Sequence, residues 1–377
     1  MMNKVLVFVA MMAAVCCSCQ TGNSDGVRPM KDVLGKYFLI GAAINTDQQA
    51  GRDSLAVEVV RKHFNQVTPE NCMKQEVMVP HQGEYSFEAA DEFVKFAEDN
   101  GLKAIGHCLV WHSQAAPWFF TDDRGNRVSR DTLIQRMHDY IATVAGRYKG
   151  RIHGWDVVNE AYEDDGSMRK TPYLEIIGPD YIEMAFRFAH EADPDAELYY
   201  NDYSMAKPEK RAAVCKLVHD LKEKGLRIDA VGMQSHNGCD YPDLAEYEKT
   251  IDSLAATGVK VMMTELDLNM LPNPEEFGGA EISQKFEFDE KMNPYVNGLD
   301  SAATKLFDER YLAFFDIYAR HREQISRITL WGVADGGSWL NGWPIPGRTN
   351  YPLLFDREYK PKEVIGKIEQ LFESNNP

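Results

Sequence analysis

The sequence lacks the motifs by which proteins commonly hold metals, exchange thiols and bind nucleotides. Four cysteines outside the N-terminal segment stand far apart without any CxxC spacing, which excludes the usual zinc and redox motifs: Cys72, Cys108, Cys215 and Cys239. We expect all four to be free, buried thiols. No GxGxxG or P-loop motif follows a strand-like run, so a nucleotide cofactor is not indicated either.

Basic residues are also scarce. Lys and Arg number 41 against 58 Asp and Glu, which gives a formal net charge of −17 at pH 7. This excess of negative charge disfavours nucleic acids and anionic membrane surfaces as partners, because both repel an acidic protein. It is compatible with a neutral substrate.

The N-terminal apolar run is too short to span a membrane. Residues 5–15 are apolar and follow Lys4, whereas a membrane-spanning helix needs about 20 apolar residues. We therefore predict a signal peptide over residues 1–19. Its small residues ending in cysteine resemble a bacterial lipobox, with Cys19 as the expected acylated residue and Cys16 or Cys17 as alternatives. A plain secretory signal is the competing interpretation.

These N-terminal features set the expected location. Residues 20–30 are polar and contain glycine, and we predict a tether there between the lipid and a folded domain over residues 31–377. We expect a lipoprotein of a Gram-negative envelope, at the outer membrane, the cell surface or the periplasm, and otherwise a secreted protein. Contact with a membrane is expected only through the lipid anchor.

Strand-like and helix-like patterns alternate through the rest of the chain. The strand candidates are 37–44, 66–69, 103–111, 152–160, 197–203, 230–236, 259–268 and 328–335. The helix candidates are 54–64, 87–100, 130–149, 181–192, 208–224, 244–257, 303–325 and 361–373. Eight alternating pairs in one domain predict an α/β fold, a single (β/α)8 TIM barrel, rather than an open doubly wound sheet. One long irregular insertion, 269–301, is expected over the active-site face as a substrate rim or lid.

Two of the predicted strands end in a carboxylate. The stretch RIHGWDVVNEAY is an apolar, β-branched and aromatic run that finishes in Asn159 and Glu160, and VKVMMTELDL carries Glu265 near its end. A carboxylate that closes a buried strand must be paired, protonated or open to a pocket, because its desolvation is costly. Two such carboxylates are the minimum requirement of a glycosidase.

Polar and aromatic residues stand at the predicted ends of seven strands, where a barrel places its active site. They are Glu70, Asn71, Lys74, His107, Trp111, His112, Asn159, Glu160, Asn201, Asp202, Tyr203, Gln234, His236, Glu265, Asp267, Trp331, Trp339 and Trp343. Indole faces stack on the apolar faces of sugar rings, while amides and acids hydrogen-bond the hydroxyl groups. Taken together, these residues predict a carbohydrate-binding cleft that contains two acids.

Seven short motifs, in order and one per strand, carry a family resemblance. They are TPEN (68–71), GHCLVWHSQ (106–114), WDVVNEA (155–161), YYNDY (199–203), QSH (234–236), TELD (264–267) and WGVADGGSW (331–339). They resemble the motifs of glycoside hydrolase family 10, the retaining endo-β-1,4-xylanases, and the likeness extends from Tyr37 to the C-terminus. One departure is Cys108, which stands where Thr is expected and should point away from the pocket because it follows His107 on the strand.

The resemblance implies roles for these residues. Glu160 would be the general acid/base and Glu265 the nucleophile, with neither metal nor cofactor. Asn159 would bond the 2-hydroxyl group of the sugar at the cleavage point, and His236 with Asp267 would position the nucleophile. The other implied substrate-binding residues are Glu70, Asn71 and Lys74 on the glycone side, His107, Trp111, Gln234, Trp331 and Trp339 around the scissile bond, and Tyr203.

Two alternatives to a xylanase stay open on the sequence. One is a surface glycan-binding protein that has kept the cleft and lost the chemistry. The other is a related barrel hydrolase acting on a β-1,4-glucan, from which a xylanase must be distinguished by crowding at Glu70, Lys74 and Trp339. The expected partners are xylan and xylo-oligosaccharides, and we expect a monomer.

Overall fold

A computed structural model describes residues 27–374 except residues 276, 278 and 279. The predicted signal peptide and residues 20–26 of the predicted tether lie outside the described residues. Met30, which the sequence assigns to the tether, begins a short helix, Met30–Val33, and is completely buried. Arg28 forms ion pairs with Glu369 and Glu373 near the C-terminus. The described part of that segment therefore packs on the folded domain.

Eight strands form a closed parallel barrel, which confirms the predicted fold. The strands are β1 (Leu39–Ile44), β2 (Gln66–Pro69), β3 (Lys103–Trp111), β4 (Gly154–Asn159), β5 (Glu197–Asp202), β6 (Ala230–Met233), β8 (Lys260–Asn269) and β9 (Ile325–Leu330), with the short strand β7 (His236–Gly238) between β6 and β8. Each barrel strand pairs with its neighbours in chain order, β9 pairs with β1, and β6 pairs directly with β8. No edge of the barrel stays open at this closure.

Helices alternate with the strands. The eight longest are α1 (Ser54–His63), α2 (Glu88–Asp99), α3 (Arg130–Arg147), α4 (Tyr181–Ala192), α5 (Pro208–Glu223), α6 (Leu244–Ala256), α7 (Ser301–Arg320) and α8 (Val364–Ser374). Short helical turns occupy Thr46–Gln49, Gln75–Met78 and Pro172–Ile176. Among the described residues, none of the helices is sufficiently long and apolar to cross a membrane.

Local sequence explains where several helices begin and which face they bury. Ser129, Asp243 and Asp300 each accept a hydrogen bond from a backbone N–H of the first turn, so they cap α3, α6 and α7. In α4 the buried residues recur at helical spacing, as Ile182, Phe186 and their neighbours do, and this face packs against the barrel.

Side chains from neighbouring strands and from strands on opposite sides fill the barrel interior. The guanidinium of Arg327 on β9 lies 5.4 Å from the ring centroid of Tyr199 on β5, and its Nε donates to the sulfur of Met262 on β8. Because β5 and β9 do not pair, this contact must cross the interior. Arg327 and Tyr199 are almost completely buried, so the barrel is a packed core and leaves its chemistry to its ends.

Two predicted boundaries were wrong by more than three residues. The last strand was predicted at 328–335 but covers Ile325–Leu330, and α7 ends at Arg320 rather than at 325. Ile325 pairs with Val261 on β8, so the chain has already entered the sheet there. The apolar run continues past Leu330, but Gly332 adopts a φ of 129° and turns the chain out of the barrel. The predicted strand 230–236 is divided into β6 and β7.

Candidate active site

A cavity of about 160 Å³ opens at the C-terminal ends of the strands. Its lining contains all the residues to which the resemblance gave a role except Tyr203 and Asp267: Glu70, Asn71, Lys74, His107, Trp111, Asn159, Glu160, Gln234, His236, Glu265, Trp331 and Trp339. Gln114, Ala280 and Ile282 complete it. Four further residues at the predicted strand ends do not line the cavity: His112, Asn201, Asp202 and Trp343. The parallel register brings the ends of neighbouring strands level, with Trp111 beside Asn159 and Asn159 beside Asn201. Side chains distant in sequence therefore reach one space.

Glu160 is held at the end of β4 by neutral donors. Its Oε2 accepts a hydrogen bond of 2.8 Å from the indole N–H of Trp111, and its Oε1 accepts one of 2.8 Å from the amide of Gln234. Burial raises the pKa of the Glu160 carboxyl, and the opposing influences of His112 and these donors do not cancel the increase. Glu160 therefore keeps its proton to a higher pH than an ordinary glutamic acid does.

The backbone of Glu160 adopts the left-handed conformation, with a φ of 60°. For a residue other than glycine this conformation costs about 1–3 kcal/mol and persists only where the surroundings fix it. Here the N–H of Glu160 donates to the carbonyl of Asn201 at 2.9 Å, and the carbonyl of Glu160 accepts from Nε of Arg169 at 3.1 Å. The turn directs the carboxyl away from the strand and into the cavity.

Glu265 on β8 is as buried as Glu160 but has a cationic neighbour. Its Oε2 lies 3.1 Å from Nε2 of His236, and its Oε1 accepts a hydrogen bond of 2.8 Å from the amide of Asn201. Thr264 donates to the other atom of that amide, Oδ1 of Asn201, at 2.5 Å. Burial alone would raise the pKa of Glu265, but the hydrogen bonds and the charge of His236 lower it below its usual range.

His236 lies between two carboxylates. Its Nδ1 is 3.0 Å from Oδ2 of Asp267, the same oxygen that accepts a 2.8 Å hydrogen bond from the indole N–H of Trp339. Burial opposes protonation of the imidazole, but Asp267 and Glu265 outweigh it and raise the pKa of His236 to about 10. At neutral pH an imidazolium therefore stabilises the ionised form of Glu265. Asp267 itself stands behind His236, outside the cavity lining.

Two amides connect the carboxylates. Nδ2 of Asn201 donates both to Glu265 and, at 2.9 Å, to Oδ1 of Asn159. Nδ2 of Asn159 then lies 3.3 Å from Oε1 of Glu160. These hydrogen bonds fix the orientation of the Asn159 amide, because its oxygen accepts from Asn201 and its nitrogen donates to Glu160.

A second group of polar residues lies on the side of β2 and β3. Nζ of Lys74 donates to Asn71 at 2.8 Å and to Gln114 at 2.7 Å, and it lies 5.2 Å from the centroid of a Trp111 ring. Burial lowers the pKa of Lys74 and raises that of the neighbouring Glu70. These closely spaced donors and acceptors are suited to the hydroxyl groups of a sugar.

His107 and the tryptophans form another wall. Nδ1 of His107 is 2.9 Å from Oδ2 of Asp156, so the other ring nitrogen is left to face the cavity. The His107 ring meets Trp331 edge to face at 5.4 Å, and Trp339 stacks on Trp343 at 4.4 Å. This wall offers aromatic faces beside the two carboxylates.

A family model, glycosyl hydrolase family 10, matches residues 29–371. The chain belongs to glycosyl hydrolase family 10. Among its relatives, endo-1,4-β-xylanase A of Xylanibacter ruminicola is 58% identical over 344 residues, 91% of this chain and 93% of the relative. An endo-1,4-β-xylanase of Geobacillus stearothermophilus is 38% identical over 347 residues, 91% of this chain and 98% of the relative.

Solved structures agree with this membership. A family 10 endoxylanase from a sugarcane soil metagenome superposes with a TM-score of 0.87 at 45% identity and covers 91% of this chain and 99% of its own. Xylanase XynB from Paenibacillus barcinonensis, complexed with a conduramine derivative, has a TM-score of 0.82 at 37% identity, with coverage of 91% and 98%.

Tyr203 lines a second pocket of this family 10 barrel, which adjoins the cavity. This pocket has a volume of about 450 Å³ and shares Gln234, His236 and Ala280 with the cavity. Tyr203 stands in its wall, and its hydroxyl accepts a 2.5 Å hydrogen bond from Nη2 of Arg169. A chain longer than one sugar could therefore continue from the cavity past Tyr203.

The sequence reasoning listed Asn201 at a strand end without giving it a role, and it did not select Gln114, Arg169 or Glu281. Gln114 and Asn201 lie within the motifs GHCLVWHSQ and YYNDY, so their position next to chosen residues was a usable signal. Arg169 and Glu281 lie in connecting segments without a motif, and only the fold brings them together. Cys108 is buried and does not line the cavity. All four described cysteines are free, but Cys215 and Cys239 are only half-buried, so the prediction of four buried thiols was wrong for these two.

Proposed function

We propose that this protein is an endo-acting β-1,4-xylanase that cleaves xylan with retention of anomeric configuration. One observation carries the proposal: two buried carboxyls enter one cavity from β4 and β8, and their pKa values are displaced in opposite directions. A retaining glycosidase must begin with one carboxyl protonated and the other ionised. The named relatives are endo-1,4-β-xylanases, which supports xylan as the substrate.

In the first step Glu265 is the nucleophile and Glu160 the general acid. The carboxylate of Glu265 forms a bond to the anomeric carbon while the glycosidic C–O bond breaks. The proton of Glu160 passes to the departing oxygen, so the leaving sugar departs as a neutral alcohol. The result is a covalent xylosyl-enzyme and an ionised Glu160.

The second step reverses these roles. Glu160 takes a proton from a water molecule, whose oxygen forms a bond to the anomeric carbon as the bond to Glu265 breaks. The sugar leaves with its original β configuration, Glu160 regains its proton and Glu265 regains its charge. Both steps need only the two carboxyls and water.

The remaining residues hold and orient the sugars. Asn159, fixed by Asn201, is assigned to the 2-hydroxyl group, where a hydrogen bond strengthens in the transition state. Glu70, Asn71 and Lys74 are assigned to the next sugar on the glycone side. The other substrate-binding assignments follow the cavity and its neighbour: His107, Trp111, Gln234, Trp331 and Trp339 around the scissile bond, and Tyr203 on the leaving-group side.

The two alternatives are less well supported. A glycan-binding protein without catalysis does not need two carboxyls with opposed pKa displacements, each supplied with its own hydrogen-bond partners. A β-1,4-glucanase is disfavoured because both named relatives are xylanases.

The test compares substrates and then stereochemistry. We expect reducing ends to be released from xylan and much less from carboxymethyl cellulose. Early product from xylotetraose, followed by proton NMR, should carry the β configuration at the new reducing end. Equal release from both polymers would favour the glucanase, no release the glycan-binding protein, and the α anomer appearing first would contradict retention.

We also propose that the protein is a lipoprotein of a Gram-negative envelope, acylated at Cys19. The small residues before this cysteine and the short apolar run support the assignment. Cys19→Ala should abolish lipid labelling and move the protein out of the membrane fraction. Retention of the label would point to Cys16 or Cys17, and a wild-type protein without any label would leave the plain secretory signal.

We further propose that the enzyme acts as a monomer. Light scattering behind size-exclusion chromatography should give a mass close to that of one chain at all concentrations tested. A mass that doubles with concentration would contradict this.

A further inference from the structure

Between β8 and α7 lies a connecting segment that reaches over the cavity; its described residues, 270–275, 277 and 280–300, are here named the rim segment. Ala280 and Ile282 of the rim segment line the cavity. The carboxylate of Glu281, between them, accepts a hydrogen bond of 3.0 Å from Nη1 of Arg169 and lies 3.8 Å from Nε2 of His112. The rim segment is therefore attached to the segments that follow β3 and β4.

Arg169 joins this attachment to the catalytic acid. Its guanidinium is almost completely buried and uses a different nitrogen for each partner. Nη1 donates to Glu281, Nη2 to the hydroxyl of Tyr203, and Nε to the backbone carbonyl of Glu160. The planar guanidinium fixes the directions of these donors relative to one another. A displacement of Glu281 should therefore move Arg169 and disturb its hydrogen bond to the Glu160 carbonyl.

Glu160 is sensitive to such a displacement because its backbone is in the left-handed conformation. Such a conformation persists only while the surrounding structure fixes it, and the hydrogen bond from Arg169 is one of the contacts that fix it. Relaxation would rotate the carbonyl away from Arg169 and carry the carboxyl away from the donors Trp111 and Gln234. Proton transfer to a leaving group depends on such placement, since a general acid must be within hydrogen-bond reach of its target.

We propose that Glu281 and Arg169 are positioning residues for Glu160, so that the rim segment over the cavity holds the general acid in place. The inference rests on the proposed function, because it needs Glu160 to be the acid. The rim segment would then support proton transfer by Glu160 as well as line the cavity.

The charges are consistent with this arrangement. The His112 imidazole, 3.8 Å away, and then the hydrogen bond from the Ser283 N–H lower the pKa of Glu281 to about 2, so Glu281 is ionised at neutral pH. A buried guanidinium needs such an anionic partner. The second carboxylate near Arg169, Glu163, is more distant, at 3.5 Å from Nη2. Glu281 is thus the better-placed counterion.

The decisive experiment compares two leaving groups in Glu281→Gln. The matched control is Glu287→Gln, an exposed glutamate of the same rim segment. For each variant kcat/KM is measured on xylohexaose, whose leaving sugar needs a proton, and on dinitrophenyl xylobioside, whose leaving group does not. Glu281→Gln should lose up to about 100-fold on xylohexaose, the scale of a displaced catalytic group. On the aryl substrate the loss should stay below about threefold.

Arg169→Lys tests the other half of the contact. Lysine keeps the charge but cannot donate in three fixed directions, so it should show the same uneven loss. Glu281→Gln in the Arg169→Lys background should add little, since the two residues act in series. Equal losses on both substrates, or losses no greater than those of Glu287→Gln, would overturn the proposal. Inactivity of the wild type on xylohexaose would instead overturn the proposed function.

Discussion

The ends of β4 and β8 offer one residue type in two environments. Glu160 and Glu265 are equally buried, each with about 5% of its surface exposed. Glu160 receives hydrogen bonds from an indole and two amides, all neutral. Glu265 receives one from an amide and stands against His236, whose pKa is raised to about 10.

The difference shows that burial alone does not decide the protonation state of a carboxyl. Desolvation acts in the same direction on both groups, towards a higher pKa. At Glu160 the charge of His112 and the neutral donors do not overcome it, whereas at Glu265 the hydrogen bond and charge of His236, together with the charge of His107, do. One barrel can therefore supply an acid and a nucleophile from the same residue type by changing the neighbours.

The largest effect is expected when the carboxyl group of Glu265 is removed. Glu265→Ala leaves no route to the covalent intermediate, so rates on xylan and on aryl xylobiosides should both fall by about 10⁴-fold or more. Initial rates at high enzyme concentration would measure this, with unchanged melting temperature as the control. A loss confined to one of the two substrates would remove Glu265 from the nucleophile role.

Removal of the Glu160 carboxyl should reduce activity on xylan nearly as much, but the loss should differ between substrates. Glu160→Ala should lose about 10³-fold or more on xylan, while dinitrophenyl xylobioside should still form the intermediate, because dinitrophenolate leaves without a proton. Hydrolysis of that intermediate then lacks its base, so stopped-flow traces should show a burst followed by slow turnover.

Azide provides the control for this variant. It needs no deprotonation and fits the space left by the side chain, so it should restore turnover and give a β-glycosyl azide. Equal losses on xylan and on the aryl substrate, without rescue by azide, would contradict the acid/base role.

A smaller effect is expected when the pKa values of Glu160 and Glu265 are brought closer together by a change at His236. His236→Gln replaces the imidazolium with a neutral amide, so the pKa of Glu265 should rise. Because activity needs Glu265 ionised, kcat/KM is lost as the pH falls through that pKa, and the acid limb of the pH profile should move to higher pH. At pH 6 the loss should be about 10- to 100-fold. An acid limb at the wild-type position would show that His236 does not set the ionisation of Glu265.

The smallest effect is expected from removing one neutral donor. Trp111→Phe keeps an aromatic ring but deletes the hydrogen bond to ionised Glu160, so the pKa of Glu160 should rise further. Activity needs Glu160 protonated and is lost as the pH rises through its pKa, so the alkaline limb should move to higher pH while the acid limb stays. The loss of kcat/KM at the optimum should be below about tenfold. If the acid limb moved instead, Glu160 would be the ionised nucleophile and Glu265 the general acid, contrary to the proposed roles.

The sequence predicted those parts of the fold and site that are encoded locally. The limits of β2 and β3 were predicted to the residue, because their apolar runs end abruptly in polar residues. The position of Glu160 directly after β4 and of Glu265 in the C-terminal half of β8 followed from the same pattern. In a barrel all such ends face one side, so twelve of the fourteen assigned site residues reached one cavity.

Other features depend on contacts between distant segments and were not predictable. The hydrogen bonds of Arg169 connect Glu160 with Glu281, which lies 112 positions after Arg169 in the chain. Nothing in the local sequence around Glu281 distinguishes it from the exposed acidic residues of the same segment. The end of β9 was misplaced for a related reason: its limit is set by pairing with β1 and β8, whereas the apolar pattern continues beyond it.

The hydrogen bond from Trp339 to Asp267 has a consequence for attempts to change what the enzyme accepts. Enlarging the cleft for a hexose polymer would naturally begin with a smaller side chain at Trp339, since its indole lines the cavity. The same change would remove a donor from Asp267, whose Oδ2 also meets His236, and His236 in turn meets Glu265. A substitution at Trp339 that broadens the substrate range would therefore also change the environment of the nucleophile Glu265. A variant with a wider cleft will need a replacement donor for Asp267 before its turnover can be compared with that of the parent.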